Sequence, residues 1–446
     1  MSKIHNSPRH LVSEINEALA TSRVVNLVGP RQVGKTTLVR DLLATGNYIT
    51  LDDEGILEAI RGDPEGQLKS LRMENSDGPL IIDEAQRCGE LAMAMKIIVD
   101  GEPRKGQFLL TGSSNLFASA SAMDSLAGRV RILRLWPMSV SEIREVGANR
   151  LLDWGMQRLP SLSQIGDLEV CGRRDCIGLL LAGGFPEPRT VAIKPRQRMY
   201  RDYVDSIVDR DVAEVLNIRK SDMMRRLIFQ MAARTGTEIN MSKLAKAVGV
   251  NRATLDSYLD ILASLSLVIR LGSWTSGESR REVRHAKYHF VDPGMGCALR
   301  YFDDRSFTAG QPHTAALGGL LESFVLGELI RAQPIQDQEC RFYHWRSADG
   351  KEVDILAEAA DRMIGFEVKA SSTVSAADFR HLNWFASKGP GRRRNFCGIV
   401  FYMGQQKLSF GENRFALPIS SLWARIETDG TQEMVQQPQI DRISAH

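Results

Sequence analysis

The N-terminal third of the chain alternates between short apolar runs and stretches with helical apolar spacing. The apolar runs are Val24–Val28, Leu80–Ile82 and Phe108–Leu110. Runs of this length and composition are typical of buried parallel strands. Before them, Leu11, Ile15 and Leu19 have the spacing of one helix face. Because strands that alternate with helices build α/β domains around a parallel sheet, we predict such a domain for residues 1–150.

A different pattern occupies residues 221–291. A helical stretch ends at Gly249, and Asn251 can cap a second helix after a tight turn. Helix, tight turn and helix are typical of a helix-turn-helix. Strands expected within 265–274 and 288–291 would add a hairpin. The pattern therefore predicts a winged helix-turn-helix.

Residues 292–430 change pattern again, to a helix, three strands, a helix and a further strand. The stretches are 315–331, 341–346, 352–356, 364–369, 376–385 and 396–402. This is the core order of the PD-(D/E)xK nuclease fold, which makes a small restriction-endonuclease-like α/β domain. We expect 151–220 to be a helical connector and 431–446 to be a disordered tail. The predicted fold class is thus α/β: a parallel sheet followed by these two smaller domains.

The stretch after the first predicted strand carries the strongest chemical signal. It reads Gly29, Pro30, Arg31, Gln32, Val33, Gly34, Lys35, Thr36 and Thr37. This is a G-x-x-x-x-G-K-[ST] phosphate-binding loop with a strand before it and a helix after it. The loop amides and the helix N-terminus form an anion site. We expect ATP here, with Lys35 reaching the β- and γ-phosphates and Thr36 ligating Mg²⁺.

Two carboxylates end the apolar run 80–82, where open α/β sheets place their ligands. In this Walker B-like position, we expect Asp83 to hold Mg²⁺ and Glu84 to act as the general base for water. After the next strand, Ser113, Ser114 or Asn115 could orient that water, and Asn115 is our candidate. Simple turn chemistry explains these three equally well.

Arg129 is the candidate for an arginine near the γ-phosphate, acting in its own chain or from a neighbouring copy. A surface or structural salt bridge is the alternative.

A second set of acids lies in the predicted nuclease-like domain. Glu367 and Lys369 are two positions apart and therefore share one face of a strand. With Asp354 on the preceding strand they could hold Mg²⁺, and Lys369 could steady hydroxide or the scissile phosphate. Glu322, on the helix, is an extra candidate ligand. A plain salt bridge among these residues is the alternative.

Composition describes a globular protein, with 43% hydrophobic and 25% charged residues. A net charge of +3 permits nucleic-acid binding without requiring it. The candidate DNA contacts are Arg252, Arg280, Arg281 and Arg284. With no C-x-x-C pair, no apolar leader and no membrane-length apolar stretch, we expect a cytoplasmic protein. A homo-oligomer is possible.

Several of these motifs together resemble the bacterial and archaeal AAA-14 ATPases that carry a C-terminal DUF4143 region. The motifs are Gly29–Thr37, Leu51–Asp53, Ile82–Gln86, Thr111–Ser114, Leu126–Arg129 and Gly183–Glu187. The resemblance implies an ATPase whose P-loop NTPase (AAA+-like) parallel sheet is fused to a winged helix and a restriction-endonuclease-like domain. The segment from Leu151 to Asp175 is longer and more irregular than such proteins lead us to expect.

These observations predict a Mg²⁺-dependent ATPase coupled to a DNA-binding, nuclease-like C-terminal half. Two alternatives stay open. In one, the chain is a nucleotide-controlled switch that acts on a protein partner, and its nuclease-like domain is inactive. In the other, it is a toxin- or defence-type effector that cleaves nucleic acid. A winged helix that serves only as a lid, a spacer or a protein-contact module fits the first alternative, since fold does not imply function.

Overall fold

The computed structural model describes residues 7–43, 46–73, 78–112, 126–147, 149–209, 221–275, 286–308, 313–392 and 394–427. Of the three sheets found in these residues, two lie where the sequence predicts α/β units. Across the described residues, no helix is both long and apolar enough to cross a membrane.

The N-terminal part is an α/β unit, as predicted. Its strands are β1 (Val24–Val28), β2 (Asn47–Thr50), β3 (Leu80–Asp83), β4 (Phe108–Gly112) and β5 (Val130–Arg134). Its helices are α1 (Leu11–Thr21), α2 (Lys35–Thr37, continued by a π-helical turn Leu38–Leu42), α3 (Glu54–Gly62), α4 (Pro64–Met73), α5 (Leu91–Gly101) and α6 (Val140–Arg144). All neighbouring strands run parallel in the order β2-β3-β4-β1-β5. The carboxyl ends of β1 and β3, which carry the two motifs, therefore meet at one edge of the sheet.

The described part of the segment predicted as a helical connector, residues 151–209, contains four short or medium α-helices. They are α7 (Leu151–Gly155), α8 (Arg173–Ala182), α9 (Pro186–Arg189) and α10 (Ile193–Ile207). The first part of this segment packs on the C-terminal sheet. The ring centroids of Trp154 and Phe415 are 5.0 Å apart, and Ile165 forms an isolated antiparallel β-bridge with Ile426. The irregular stretch after Leu151 thus completes the C-terminal core.

Three helices and a small antiparallel sheet follow. They are α11 (Ser221–Ala232), α12 (Met241–Val248), α13 (Arg252–Ser264) and the strands β6 (Thr237–Glu238), β7 (Val268–Leu271) and β8 (Lys287–Phe290), in the order β6-β8-β7. The Asn251 side chain accepts a hydrogen bond from the Thr254 amide and caps α13, as predicted. One cluster of buried apolar side chains runs from α1 and β1 into these helices, so the two parts share a core.

A mixed six-stranded sheet forms the C-terminal part. After α14 (Pro293–Leu299) and α15 (Ala316–Arg331) come β9 (Arg341–Arg346), β10 (Glu352–Ala359), β11 (Arg362–Lys369), α16 (Arg380–Ser387), β12 (Asn395–Tyr402), β13 (Leu408–Ser409) and β14 (Arg414–Pro418). The strand order is β13-β14-β12-β11-β10-β9. The predicted succession of helix, three strands, helix and strand is therefore present, with two further strands at the end.

Candidate functional site

The phosphate-binding loop is fixed by two glycines. A Cβ atom on Gly29 would lie 2.3 Å from the Leu135 carbonyl oxygen, so no larger residue fits there. Gly34 has a φ of 100°, in the left-handed region that glycine adopts without strain. Helix α2 begins immediately after it, and the Lys35 ammonium donates to the carbonyl oxygens of Gly29 (3.0 Å) and Pro30 (2.9 Å). The backbone carbonyls at the start of the loop therefore fix the position of the Lys35 side chain.

Asp83 ends β3 and collects three hydroxyl donors. Its Oδ2 accepts from Thr36 (2.7 Å) and Tyr48 (2.9 Å), and its Oδ1 accepts from Thr111. The carboxylate is buried, with 3% of the residue exposed. Burial, followed by the nearby Asp83 carboxylate, raises the pKa of Tyr48 to about 12. The structure thus brings the predicted metal ligands Thr36 and Asp83 together. It adds the hydroxyl of Tyr48, which lies outside the sequence motifs, and that of Thr111, the first residue of the Thr111–Ser114 motif.

Glu84 follows in a left-handed conformation, with a φ of 54°. This backbone turn directs it into the cleft beside the phosphate loop, and Gln86 donates a hydrogen bond to its Oε2. Non-glycine residues in this conformation are uncommon and concentrate at functional sites. The predicted base therefore shares one cleft with Lys35 and Thr36.

The cleft has a volume of roughly 430 Å³ and is lined by six parts of the chain. Beyond the phosphate loop and Glu84, the lining residues are Ser7, Arg9, Leu38, Met138, Pro186, Glu187, Tyr203, Ser206 and Ile207. The Gly183–Glu187 motif thus closes one side of the cleft at the start of α9.

Arg9 is a residue of this cleft that the sequence analysis missed. Its guanidinium donates to the carbonyl oxygens of Val33 (3.1 Å) and Trp136 (2.5 Å) and to Glu142 Oε1 (3.2 Å). Burial opposes ionisation, but the guanidinium and nearby backbone donors lower the pKa of Glu142. A permanent cation is therefore held against the phosphate loop. No local pattern could have found it, because Glu142 lies 133 positions away.

Arg129 is not near the phosphate loop of its own chain. Its carbonyl accepts from the amide of Val24, the first residue of β1, and its side chain pairs with Asp100 at 2.6 Å. The loop follows the other end of β1, whose five residues span roughly 16 Å. A residue that precedes a parallel strand lies at the amino edge of the sheet, so the prediction that Arg129 acts on its own site is wrong. A role of Arg129 toward a neighbouring copy stays a prediction.

Asn115, Ser113 and Ser114, the candidates for orienting the attacking water, lie outside the described residues.

The second predicted site is assembled at the ends of β10 and β11. Lys369 Nζ lies 3.0 Å from Glu367 Oε2, and Asp354 Oδ2 accepts from the Val368 amide at 3.0 Å. Glu367 is 5% exposed, and burial together with the Asp354 carboxylate raises its pKa to about 8. The residues Asp354, Glu367 and Lys369 are thus neighbours, as the spacing predicts.

Lys287 is the unexpected member of this acid cluster. Its ammonium lies 2.9 Å from Glu322 Oε1, 2.5 Å from Glu352 Oε1 and 3.7 Å from Asp354 Oδ1. Burial would lower the pKa of Lys287, but the three carboxylates outweigh it and raise that pKa above its usual value. Within the described part of the chain, no group of three or more His, Cys, Asp and Glu side chains is arranged to hold a metal ion. The residues do not fit the predicted divalent cation.

The predicted DNA contacts are only partly within the described residues. Arg252 lies at the start of α13 and pairs with Asp256 at 2.9 Å, with both side chains exposed. Arg280, Arg281 and Arg284 lie outside the described residues.

Comparison with known proteins identifies three regions. Residues 21–144 match a family model described as an AAA domain (AAA-14), and residues 173–306 and 317–422 match two domains of unknown function, DUF8612 and DUF4143. An uncharacterized protein of Mycobacterium tuberculosis is 30% identical over 373 residues, which cover 82% of this chain and 75% of the relative. An uncharacterized protein of Haemophilus influenzae is 22% identical over 82% of this chain and 88% of its own.

Among solved structures, the Walker-type ATPase of Pyrococcus abyssi has a TM-score of 0.41 at 16% identity, covering 65% of this chain and 94% of that one. The replication initiator DnaA, bound to AMPPCP and single-stranded DNA, has a TM-score of 0.23 at 14% identity, covering 57% and 86%. These likenesses are distant. The two family models at the chain's ends and the mycobacterial relative establish the family, and the chain belongs to the AAA-14 proteins that carry a C-terminal DUF4143 domain.

Proposed function

We propose that the chain binds ATP with Mg²⁺ in the cleft at the phosphate loop and hydrolyses it. The observation that carries this proposal is the 2.7 Å hydrogen bond between Thr36 and Asp83, which joins the loop to the end of β3. A hydroxyl and a carboxylate oxygen at this point suit a hard divalent ion, which prefers oxygen ligands. Thr36 and Asp83 would hold the ion, which supplies charge neutralisation at the phosphates when bound.

The chain's own groups would carry the remaining steps. The loop amides bind phosphate oxygens, and Lys35 exchanges its two carbonyl partners for the β- and γ-phosphates. Glu84 accepts a proton from the attacking water, and Gln86 steadies the carboxylate. Arg9, held by Glu142, keeps a positive charge beside the loop.

Phosphate release with ATP and Mg²⁺ tests this proposal, with Glu84→Gln as the informative variant. We expect it to bind ATP as the wild type does and to lose turnover by roughly 100-fold or more, because the general base is removed while the charge-binding groups stay. Turnover of Glu84→Gln near the wild-type rate would show that Glu84 is not the general base. A wild type that binds ATP without hydrolysing it would leave only a nucleotide-binding protein.

We further propose that nucleotide state is passed to the C-terminal half, as in the switch alternative. The supporting contacts run through the Gly183–Glu187 motif. Pro186 and Glu187 line the cleft, and the Gly184 amide donates to Asp292 Oδ2 at 2.5 Å. The other oxygen of Asp292 caps α14 through the Met295 amide at 3.0 Å. A ligand that moves Glu187 would therefore disturb the start of α14.

Hydrogen exchange with and without a non-hydrolysable ATP analogue tests this coupling. We expect the amides of residues 294–299 in α14 to change their exchange rate when the analogue binds, whereas the helix Met241–Val248, which does not line the cleft, serves as the control. Equal exchange in α14 in both states would contradict the switch.

DNA is the proposed partner of the helix-turn-helix segment, through Arg252, Arg280, Arg281 and Arg284. Asp256 competes for Arg252, since the two side chains are paired. Replacing Arg280, Arg281 and Arg284 together with alanine should weaken binding to duplex DNA and flatten its dependence on salt. Unchanged salt-dependent binding would contradict this assignment.

ATP turnover measured with and without DNA or RNA distinguishes two possibilities. Nucleic acid stimulates the turnover of a coupled ATPase, whereas it does not change the turnover of a nucleotide-controlled switch.

A further inference from the structure

Lys287 is the first residue of β8, and its side chain is almost completely enclosed, at 2% exposure. The carboxylates around it come from other elements: Glu322 from α15, and Glu352 and Asp354 from β10. The ammonium therefore connects the small antiparallel sheet to the helix and strand that carry the nuclease-like acids.

An isolated ammonium is costly to bury, and so is an isolated carboxylate. Each stabilises the other here because the ammonium lies between the acids rather than beside one of them. Arg346 adds a second positive group to Glu352 at 3.6 Å, and Lys369 pairs with Glu367 on the neighbouring strand. The cluster thus has its own positive charges at short range.

We propose that Lys287 is the resident cation of this cluster: its ammonium occupies the position at which a divalent ion would have to bind Glu322 and Asp354. The C-terminal module then holds no divalent ion and cleaves no nucleic acid while β8 lies against α15 and β10. A divalent ion and an ammonium cannot share the space between Glu322 and Asp354. The charge that would attract the ion is already offset.

Thermal unfolding of the nucleotide-free full chain with and without Mn²⁺ tests the proposal. The wild-type midpoint should stay unchanged by Mn²⁺. Lys287→Ala should unfold at a lower temperature, and Mn²⁺ should raise its midpoint by roughly 2–4 °C, because the vacated position then accepts a cation. Adding Asp354→Asn to Lys287→Ala should abolish this response.

Direct Mn²⁺ binding to the wild type, measured by electron paramagnetic resonance, keeps the test decisive even where Lys287→Ala does not fold. A wild-type Mn²⁺ site that Asp354→Asn or Glu322→Gln removes would overturn the proposal. So would a folded Lys287→Ala protein whose midpoint ignores Mn²⁺, or Mg²⁺-dependent plasmid nicking by the wild type that Asp354→Asn abolishes. No wild-type Mn²⁺ site and no nicking support it.

Discussion

The phosphate-loop cleft and the acid cluster of the C-terminal sheet contain the same kinds of groups in opposite arrangements. Each has a buried carboxylate at or near a strand end and a buried lysine close by. In the cleft, Lys35 rests on two backbone carbonyls, and Asp83 is held by neutral hydroxyls. In the cluster, Lys287 lies directly among the carboxylates. In the first arrangement these contacts join each charge to neutral groups, whereas in the second the charges are paired with one another.

This difference shows that residue types and spacing define a candidate site, whereas the location of its counter-charge decides whether a ligand can enter. The hydroxyl groups of Thr36, Tyr48 and Thr111 hold the Asp83 carboxylate in place without bringing a positive charge to it. Asp354 lies near an ammonium of the same chain. The same change, lysine to alanine, should therefore have opposite effects at the two places.

The largest expected effect is on stability. Lys287→Ala leaves buried carboxylates without their counter-ion and should lower the free energy of unfolding by about 3–5 kcal/mol. Chemical denaturation of the full chain measures the loss. Lys243→Ala, an exposed position on α12, is the matched control and should cost less than about 0.5 kcal/mol. Equal, small losses for both variants would mean that Lys287 is not a structural counter-ion.

Lys35→Ala should have a large effect on ATP turnover and a small effect on stability. It removes the cation that stabilises charge on the transferred phosphoryl group, so ATP turnover should fall by about 100-fold or more. Stability should change less than in Lys287→Ala, because the carbonyl oxygens of Gly29 and Pro30 that lose this donor are neutral groups. Steady-state phosphate release measures the effect, with Lys69→Ala on the exposed face of α4 as the control. A Lys35→Ala enzyme at full rate would overturn the assignment of the cleft.

A smaller effect is expected from the hydroxyls that hold Asp83. Tyr48→Phe removes one donor and should weaken the positioning of Asp83 by about 1 kcal/mol, a change of roughly fivefold. We expect this change in the Mg²⁺ concentration needed for half-maximal turnover, because Asp83 is the proposed ligand. Tyr343→Phe, on β9 of the C-terminal sheet, serves as the control. An unchanged Mg²⁺ requirement in Tyr48→Phe would show that the phenol is only a packing group.

The smallest effect is predicted for Arg129. Since it pairs with Asp100 at the amino edge of the sheet, Arg129→Ala should alter turnover by less than about twofold at dilute protein, as surface ion pairs contribute little. Turnover per chain that rises with protein concentration in the wild type, and not in Arg129→Ala, would assign Arg129 to a neighbouring copy. A large loss at all concentrations would contradict its placement.

The elements around the cleft were predictable because their signals are local. Gly29 and Gly34 are required by the turn, Lys35 and Thr36 follow it directly, and Asp83 ends an apolar run. The sheet edge at which Arg129 lies could also be predicted from the sequence. A residue that directly precedes a parallel strand lies at the amino edge of the sheet, whereas the phosphate loop follows a strand and lies at the carboxyl edge.

The remaining groups depend on contacts between distant parts of the chain. Tyr48 meets Asp83 across 35 positions, Arg9 meets Glu142 across 133, and Lys287 meets Glu322 across 35. Lys287 in particular directly precedes the strand expected within 288–291, which the sequence pattern assigns to the hairpin of the helix-turn-helix segment. Its role exists only because that hairpin packs on α15 and β10.

The most direct test of the difference between the two sites counts Mn²⁺ ions bound per chain with and without a non-hydrolysable ATP analogue. With the analogue, we predict a single tightly bound ion, which Asp83→Asn removes. Without nucleotide, we predict none, because Lys287 already holds the acid cluster. An ion that binds without nucleotide and is lost in Asp354→Asn would contradict the account. So would a second ion that binds in the presence of the analogue and is lost in Asp354→Asn.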